Sequence, residues 1–151
     1  MAFRENYQVT GSMKKIIIVE SEPTQINLYR RIFEKTGFDV ELASSKEQML
    51  EELREIRNGD SKKPDLVVLD FMLDDGHGIE VLKAIKKHIL TKDVPVFAVT
   101  NYQNPDFDRQ IRQLGITPEK YLIKAHYNPD ELIDIVSDYL GKKDRIGTTL
   151  S

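Results

Sequence analysis

Short runs of apolar residues alternate along the chain with longer amphipathic segments. The apolar runs are rich in β-branched residues, which favours strands at residues 15–19, 38–43, 65–70, 94–99 and 120–123. The segments between them repeat apolar residues at intervals of three and four, which predicts helices at residues 23–36, 44–57, 79–89, 103–114 and 129–140. This alternation predicts five βα units and one doubly wound α/β domain.

The pattern also predicts where the domain begins and ends. Residues 13–141 contain all of the predicted strands and helices, and Gly141 is expected to end the last helix. Residues 1–12 are expected to be an N-terminal extension or the remnant of a tag, and residues 142–151 a C-terminal tail or linker remnant. Within the domain, residues 66–69 are apolar on both faces, which indicates a central parallel strand.

Composition narrows the class of protein. The chain has 151 residues, 40% of them hydrophobic and 31% charged, which fits one globular domain. Its net charge of −3 provides no cationic surface excess for nucleic acid or an anionic membrane, so neither partner is expected. It has no cysteine, which excludes a disulfide framework and a thiol nucleophile. With no apolar run long enough for a signal or a membrane span, a cytoplasmic location is expected.

Polar residues follow four of the apolar runs. Glu20 and Ser21 follow the first run, Asp70 ends the third, Thr100 follows the fourth and Lys124 follows the fifth. In open α/β sheets, ligands bind at the carboxyl ends of the strands. We therefore expect these side chains to meet at one edge of the sheet.

The chemistry of these residues is coherent. Carboxylates that converge repel one another unless a cation joins them, and oxygen ligands suit Mg²⁺. A lysine in the same place supplies a positive charge for phosphoryl oxygens, and a threonine hydroxyl can donate to them. A carboxylate can itself be the nucleophile that forms an aspartyl-phosphate. The pattern therefore points to Asp70 as a phosphoryl acceptor.

Four segments resemble the signature segments of response-regulator receiver domains, and the similarity extends in register over roughly residues 13–141. The segments are Ile16-Ile17-Ile18-Val19-Glu20-Ser21-Glu22-Pro23, Asp65-Leu66-Val67-Val68-Leu69-Asp70, Val96-Phe97-Ala98-Val99-Thr100 and Tyr121-Leu122-Ile123-Lys124. The resemblance implies a flavodoxin-like, five-stranded parallel sheet of order 2-1-3-4-5 with helices on both faces. It also implies a two-component phosphorelay in which a histidine kinase or phosphotransfer protein donates a phosphoryl group to the chain.

The resemblance assigns a role to each candidate residue. Asp70 would be the phosphoacceptor, with Thr100 and Lys124 binding the phosphoryl group and Tyr121 acting with Thr100 as a switch. Mg²⁺ would be held by Glu20, Asp70 and the backbone carbonyl of Met72, with Ser21 or Glu22 as a further candidate ligand. The chain would have at most self-phosphorylation and self-dephosphorylation activity. It would contact a downstream protein through its fourth helix, fifth strand and last helix.

The chain departs from the family pattern at several positions. Ser21 stands where the family usually has an aspartate, and a neutral hydroxyl is a poorer Mg²⁺ ligand. Asn101 replaces a small residue beside the phosphoryl site, and Asp74 and Ala125 replace prolines. Ser21 therefore predicts a lower Mg²⁺ affinity. Together with Asn101 and Ala125, it also supports the alternative of a pseudo-receiver, a module that binds proteins without being phosphorylated.

Other polar residues have structural interpretations. Glu22 is expected to begin the first helix, Ser21 to be an N-cap or spacer, and Asp74 and Asp75 to be solvated loop acids. The histidines His77, His88 and His126 lack metal-ligand spacing. A third hypothesis, a hydrolase of the haloacid dehalogenase type, needs a second aspartate two residues after the first. Met72 occupies that position, which disfavours the hydrolase.

Overall fold

The computed structural model describes the backbone of residues 13–148 and side chains as far as residue 141. The N-terminal extension predicted for residues 1–12 therefore lies outside the described residues. The elements are, in chain order, β1 (Lys15–Val19), α1 (Pro23–Phe33), β2 (Asp39–Ala43), α2 (Lys46–Asn58), β3 (Leu66–Asp70), β4 (Met72–Leu73), β5 (Gly76–His77), α3 (Gly78–Lys87), β6 (Val96–Thr100), α4 (Pro105–Leu114), β7 (Lys120–Ile123), a 3₁₀ turn (Lys124–His126) and α5 (Pro129–Thr148).

Five strands form one parallel sheet in the order β2-β1-β3-β6-β7. This order confirms the predicted 2-1-3-4-5 topology, because β4 and β5 form a separate two-stranded antiparallel hairpin. Strand β3 lies at the centre of the sheet and is buried along its whole length. Its apolar sequence on both faces accounts for that position, since each face is covered by helices.

Two apolar layers cover the sheet. Successive strand residues point to opposite faces, so Ile17 and Val67 belong to one layer while Ile16 and Val68 belong to the other. Helices α2, α3 and α4 bury their apolar stripes in the first layer, and α1 and α5 bury theirs in the second. Each fully buried side chain of this kind contributes roughly 1.5–3 kcal/mol. The layers hold the carboxyl ends of the strands in a fixed arrangement.

Several helix boundaries differ from the prediction. Helix α1 ends at Phe33, before Gly37, and the hydroxyl of Thr36 donates a 2.6 Å hydrogen bond to the Phe33 carbonyl. The last helix passes through Gly141 and continues to Thr148. A single glycine costs a helix only about 1 kcal/mol relative to alanine, so it does not by itself end one.

Ile89 was predicted to belong to the third helix, and this was wrong. Helix α3 ends at Lys87, and Ile89 is 72% exposed in the following turn. The buried hydroxyl of Thr91 donates to the carbonyl of Ile85 and satisfies one of the free carbonyls at this helix end. No helix in the described part of the chain is both long and apolar enough to cross a membrane.

Candidate functional site

The structure brings three of the predicted side chains into direct contact at the carboxyl edge of the sheet. The ammonium group of Lys124 donates to Oε1 of Glu20 at 3.1 Å and to Oδ2 of Asp70 at 3.0 Å. Glu20 and Asp70 are 3% and 4% exposed, so both carboxylates are largely removed from water. One lysine therefore neutralises part of the charge of two buried acids.

The pKa values of this cluster reflect burial and charge together. Burial raises the pKa of Glu20, the charge of Asp70 raises it further, and Lys124 opposes both effects. Burial lowers the pKa of Lys124, but the charges and hydrogen bonds of Asp70 and Glu20 outweigh it, so its pKa is raised overall. The lysine is therefore held in its charged form by the acids it contacts.

The second oxygen of each carboxylate binds the backbone. Oδ1 of Asp70 accepts a hydrogen bond of 2.8 Å from the amide of Met72. Oε2 of Glu20 accepts one of 3.1 Å from the amide of Glu22. Both carboxylates are thus oriented by the loops that follow their strands as well as by Lys124.

Ser21 and Glu22 make contacts away from Asp70. The hydroxyl oxygen of Ser21 accepts a 3.0 Å hydrogen bond from the amide of Asp74. The carboxylate of Glu22 accepts one of 2.8 Å from the amide of Gln25 and is the N-cap of α1. Glu22 therefore begins the first helix as predicted, and Ser21, expected to be an N-cap or spacer, is not the cap but ties the first loop to the loop after β3.

The donor set matches a hard divalent cation only in part. Glu20 and Asp70 offer two buried carboxylates at one edge, the type of oxygen ligand that suits Mg²⁺. Across the described residues, however, no group of three or more histidine, cysteine, aspartate or glutamate side chains is arranged to hold a metal ion. Ser21, where the resemblance would place an aspartate, adds no carboxylate to these two.

The predicted switch residues lie beside this cluster without binding Asp70. The buried hydroxyl of Thr100 donates to the carbonyl of Tyr102 at 2.9 Å. The ring of half-buried Tyr121 packs edge-on against Phe71, with ring centroids 5.8 Å apart. Burial raises the pKa of Tyr121 to about 12, and its buried hydroxyl has no hydrogen-bond partner among the described residues.

Phe71, the residue after β3, links this strand to α4, a role that the sequence did not reveal. Its ring lies 5.5 Å from the ring of Phe107, which in turn lies 5.5 Å from the ring of His77. With Tyr121 these residues form a continuous aromatic chain. The only available sequence signal was the position of Phe71 directly after Asp70.

Asp75 caps a helix that is distant in sequence. Its two carboxylate oxygens accept hydrogen bonds from the amides of Lys46 at 2.8 Å and Glu47 at 3.0 Å, at the start of α2. The hydrogen bonds from the amides of Glu47 and Lys46 lower the pKa of Asp75. Asp75 is exposed in a turn, as predicted, and it also caps α2, a contact that the sequence did not reveal.

Gly78 allows α3 to begin directly against the end of β3. Its amide donates to the carbonyl of Phe71 at 2.9 Å, and a Cβ atom at this position would clash with the carbonyl oxygen of Asp70. Glycine is required here because of this close backbone approach. The loop after Asp70 is thus tied to three elements, by Gly78, Asp75 and the contact with Ser21.

Two tyrosines, Tyr29 and Tyr127, share a cavity with Lys124. Tyr29, Tyr127 and Lys124 line a small cavity of about 40 Å³ together with Gln25 and Pro129. Burial and the negative charges of Glu20 and Asp70 raise the pKa of Tyr29 to about 12. The sequence placed Tyr29 only in the apolar stripe of the first helix, so its position near the acids depends on the fold.

The other departures from the family pattern lie at the surface. Asn101 and Ala125 are both exposed, and Ala125 is the middle residue of the 3₁₀ turn after β7. The side chain of His88 accepts a 3.1 Å hydrogen bond from the amide of Leu90, away from this edge of the sheet.

The sequence of the chain is similar to a known protein family and to characterised members of it. The family model for the response regulator receiver domain matches residues 16–137. The polar-differentiation response regulator DivK of Brucella anthropi is 30% identical over 128 residues, which cover 85% of this chain and 97% of that protein. DivK of Brucella ovis matches with the same identity and coverage.

Solved structures show the same fold. The crystal structure of a CheY-like receiver domain protein from Methanospirillum hungatei superimposes with a TM-score of 0.70 and 25% identity, covering 89% of this chain and 98% of that one. The crystal structure of the phosphorylated cyanobacterial phytochrome response regulator RcpA superimposes with a TM-score of 0.68 and 25% identity. The match covers 93% of this chain and 98% of that one. With the family match and the DivK identity, these findings establish that the chain belongs to the response regulator receiver domain family.

Proposed function

We propose that this receiver domain is a phosphoacceptor switch in which Asp70 takes a phosphoryl group from a histidine kinase or phosphotransfer protein. The observation that carries the proposal is the contact of Lys124 with both Asp70 and Glu20 at the carboxyl edge of the sheet. A buried carboxylate beside a fixed cation is suited to receive a group that brings further negative charge.

In the proposed reaction a carboxylate oxygen of Asp70 forms a bond to phosphorus as the bond from phosphorus to the donor's imidazole nitrogen breaks. The electron pair of the broken bond stays with the imidazole, which takes up a proton. Lys124 keeps its positive charge and interacts with the new phosphoryl oxygens. The hydroxyl of Thr100 exchanges the carbonyl of Tyr102 for a phosphoryl oxygen, which couples acceptor chemistry to the loop after β6.

We further propose that Glu20, Asp70 and the backbone carbonyl of Met72 hold Mg²⁺. When bound, Mg²⁺ would neutralise charge on the phosphoryl oxygens. Ser21 and Glu22 are not expected to contribute, because one binds the amide of Asp74 and the other caps α1. A site with two carboxylates should bind Mg²⁺ more weakly than one with three.

The proposed output is a change of partner rather than turnover of a separate substrate. The chain would carry at most self-phosphorylation and self-dephosphorylation activity. The surface of α4, β7 and α5 would contact a downstream protein, and Tyr121 on β7 would respond to the position of Thr100. The support for this role is the packing of Tyr121 against Phe71, the residue after the acceptor.

The test is to incubate the full chain with Mg²⁺ and acetyl phosphate and to measure its intact mass. We expect the gain of one phosphoryl group, released by mild base. Asp70→Asn should remove the adduct, whereas Asp74→Asn, a matched change in the neighbouring loop, should keep it. No adduct on the unmodified chain, or an adduct on Asp70→Asn, would contradict the proposal.

A second candidate function is that of a pseudo-receiver that binds a partner without phosphorylation. It is favoured by one observation, the use of Ser21 to bind the Asp74 amide in place of an acid directed at the metal site. A titration with Mg²⁺ followed by NMR separates the two candidates. Saturable shifts around Asp70 at millimolar Mg²⁺ support the phosphoacceptor, and their absence supports the pseudo-receiver.

A further inference from the structure

A groove of about 710 Å³ lies between α3 and α4 and reaches the end of α2. We propose that this groove is a docking site for a partner segment that is acidic on one side and apolar on the other. The residues that carry the argument are Arg57, Glu80, Lys83, Lys87, Gln110 and Leu114, all of which line the groove. The acceptor Asp70 does not line it, so the proposal concerns a separate surface.

The rim of the groove carries unpaired positive charge. Lys83 and Lys87 are exposed and form no ion pair with any residue that the structure describes. Arg57 donates one guanidinium hydrogen bond to the carbonyl of Ala84 at 3.3 Å, while its buried Nε has no partner in the described part of the chain. The acid of the groove, Glu80, is bound by Lys46 at 3.1 Å.

This positive charge contrasts with the rest of the molecule. The chain as a whole carries a net charge of −3, so cations gathered on one face make a local field of opposite sign. Complementary charge steers a partner and sets its orientation on the surface. An acidic segment would supply carboxylates for Lys83 and Lys87, which the chain itself leaves unpaired.

Part of the lining of the groove and of an adjoining cavity is apolar. An adjoining cavity of about 210 Å³ is lined by Ile116 and Lys86 together with three residues that the groove also uses, Lys83, Lys87 and Leu114. Leu114 is 42% exposed although it is a large apolar residue. A helix that places leucines toward Leu114 and Ile116 and carboxylates toward the lysines would fit both features.

The same features favour a protein segment over a nucleic acid. Single-stranded nucleic acids bind surfaces where aromatic side chains alternate with cations, because bases stack on the rings. Here the lysines flank the aliphatic side chains of Leu114 and Ile116, and of the residues that line the groove only His77 has an aromatic ring. The side chains of Gln110 and Gln113 on α4 add neutral groups that can form hydrogen bonds with a peptide.

The test uses the full chain, labelled with ¹⁵N, without Mg²⁺ or phosphodonor, so its result does not depend on phosphorylation. The probe is a synthetic helical peptide with leucine at every third or fourth position and glutamate elsewhere. We expect saturable amide shifts confined to α3, α4 and the end of α2. The double variant Lys83→Glu, Lys87→Glu should weaken binding by roughly tenfold or more.

A matched control keeps the same charge change away from the groove. Lys35→Glu with Lys63→Glu should alter the affinity by less than about twofold, because both lysines are exposed on other faces. Leu114→Ser tests the apolar part of the lining without changing its charge, and it should weaken binding of the peptide that carries leucine and glutamate. A peptide with lysine in place of glutamate should not bind.

Three results would overturn the proposal. They are the absence of saturable shifts with the acidic peptide, equal affinity in the Lys83→Glu, Lys87→Glu variant, and tighter binding of a single-stranded RNA oligonucleotide of equal charge. Dispersed ¹⁵N spectra of each variant establish that it is folded, so a lost interaction can be assigned to the groove.

Discussion

The ammonium nitrogen of Lys124 lies 3.0 Å from Oδ2 of Asp70, although the two residues are 54 positions apart in the chain. The same nitrogen lies 3.1 Å from Glu20. This contact makes the lysine the counterion of the two buried acids. Because both acids are buried, changes to either partner should affect stability as well as chemistry.

Lys124→Met should destabilise the chain at neutral pH. The substitution leaves Asp70 and Glu20 facing each other without a cation, and we expect a loss of roughly 2 kcal/mol in the free energy of unfolding. Urea denaturation at neutral pH without divalent cations measures the loss. The double variant Lys124→Met, Asp70→Asn should recover part of it, because one of the two repelling charges is gone.

With the single variant Asp70→Asn added, these variants form a double-mutant cycle, and one result of that cycle would contradict the prediction. If Asp70→Asn lowers stability by the same amount with and without Lys124, the two side chains are not coupled. The contact would then contribute nothing measurable to folding.

Glu20→Gln should stabilise the metal-free chain at neutral pH by on the order of 1 kcal/mol. Burial and the charge of Asp70 raise the pKa of Glu20, so the folded chain binds this proton more tightly than the unfolded chain does. The stability that Glu20 contributes is therefore complete below its ordinary pKa of 4.5 and is lost as the pH rises through the raised folded value. Glutamine has no such loss.

The measurement is urea denaturation of Glu20→Gln and the unmodified chain across the acid to neutral range, with a chelator present. The free energy of unfolding of Glu20→Gln should exceed that of the unmodified chain by an increasing amount as the pH rises. A difference that is constant with pH, or that favours the unmodified chain more strongly at neutral pH, would argue against a raised pKa.

Ser21→Asp should increase the affinity for Mg²⁺ by roughly tenfold or more, because it adds a third carboxylate at this edge of the sheet. Ser21→Ala is the matched control, since it removes the hydrogen bond to the amide of Asp74 without adding a charge. Calorimetric titration with Mg²⁺ gives both affinities. Equal affinity for the aspartate and alanine variants would show that position 21 does not reach the metal.

Asp75→Ala should lower the thermal midpoint of unfolding at neutral pH, because it removes the tertiary cap of α2. Hydrogen bonds from the amides of Glu47 and Lys46 lower the pKa of Asp75. Its contribution is therefore present above the ordinary pKa of 3.8 and is lost as the pH falls through the lower folded value.

Asp74→Ala provides the control for this change, since the contact of Asp74 with Ser21 uses its backbone amide and survives the substitution. Differential scanning calorimetry should show the difference between the two variants shrinking in strong acid. If both variants have the same thermal midpoint of unfolding at neutral pH, the cap at Asp75 has no effect on stability.

Tyr121→Phe should leave the unphosphorylated chain equally stable or up to about 1 kcal/mol more stable, because a buried hydroxyl without a partner is costly. The hydroxyl of Tyr121 is of this kind in the described structure. Urea denaturation tests the prediction. A clear loss of stability in the variant would mean that the hydroxyl has a partner in solution.

The alternation of apolar runs and helical stripes was sufficient to predict five βα units in one doubly wound domain, whereas the strand order 2-1-3-4-5 came from the resemblance to receiver domains. Strand β7 has the predicted bounds, and β3 takes the central place that its apolar faces indicated. Element ends were less predictable, as Ile89 shows, because helix ends depend on side-chain caps such as the hydroxyl of Thr91. The position of Gly141 inside α5 shows the same dependence, since packing along a helix can offset one unfavourable residue.

At the site, the sequence determined which chemical groups stand at the strand ends, because parallel strands of a single sheet place their carboxyl ends together. Only the tertiary structure decided what each group contacts. Lys124 bridges Asp70 and Glu20, whereas Ser21 binds the amide of Asp74. Hydrogen bonds between loops depend on distances that no local pattern encodes. For that reason the grouping of Glu20, Asp70 and Lys124 at one edge of the sheet was predictable from the chain, and the partners of their side chains were not.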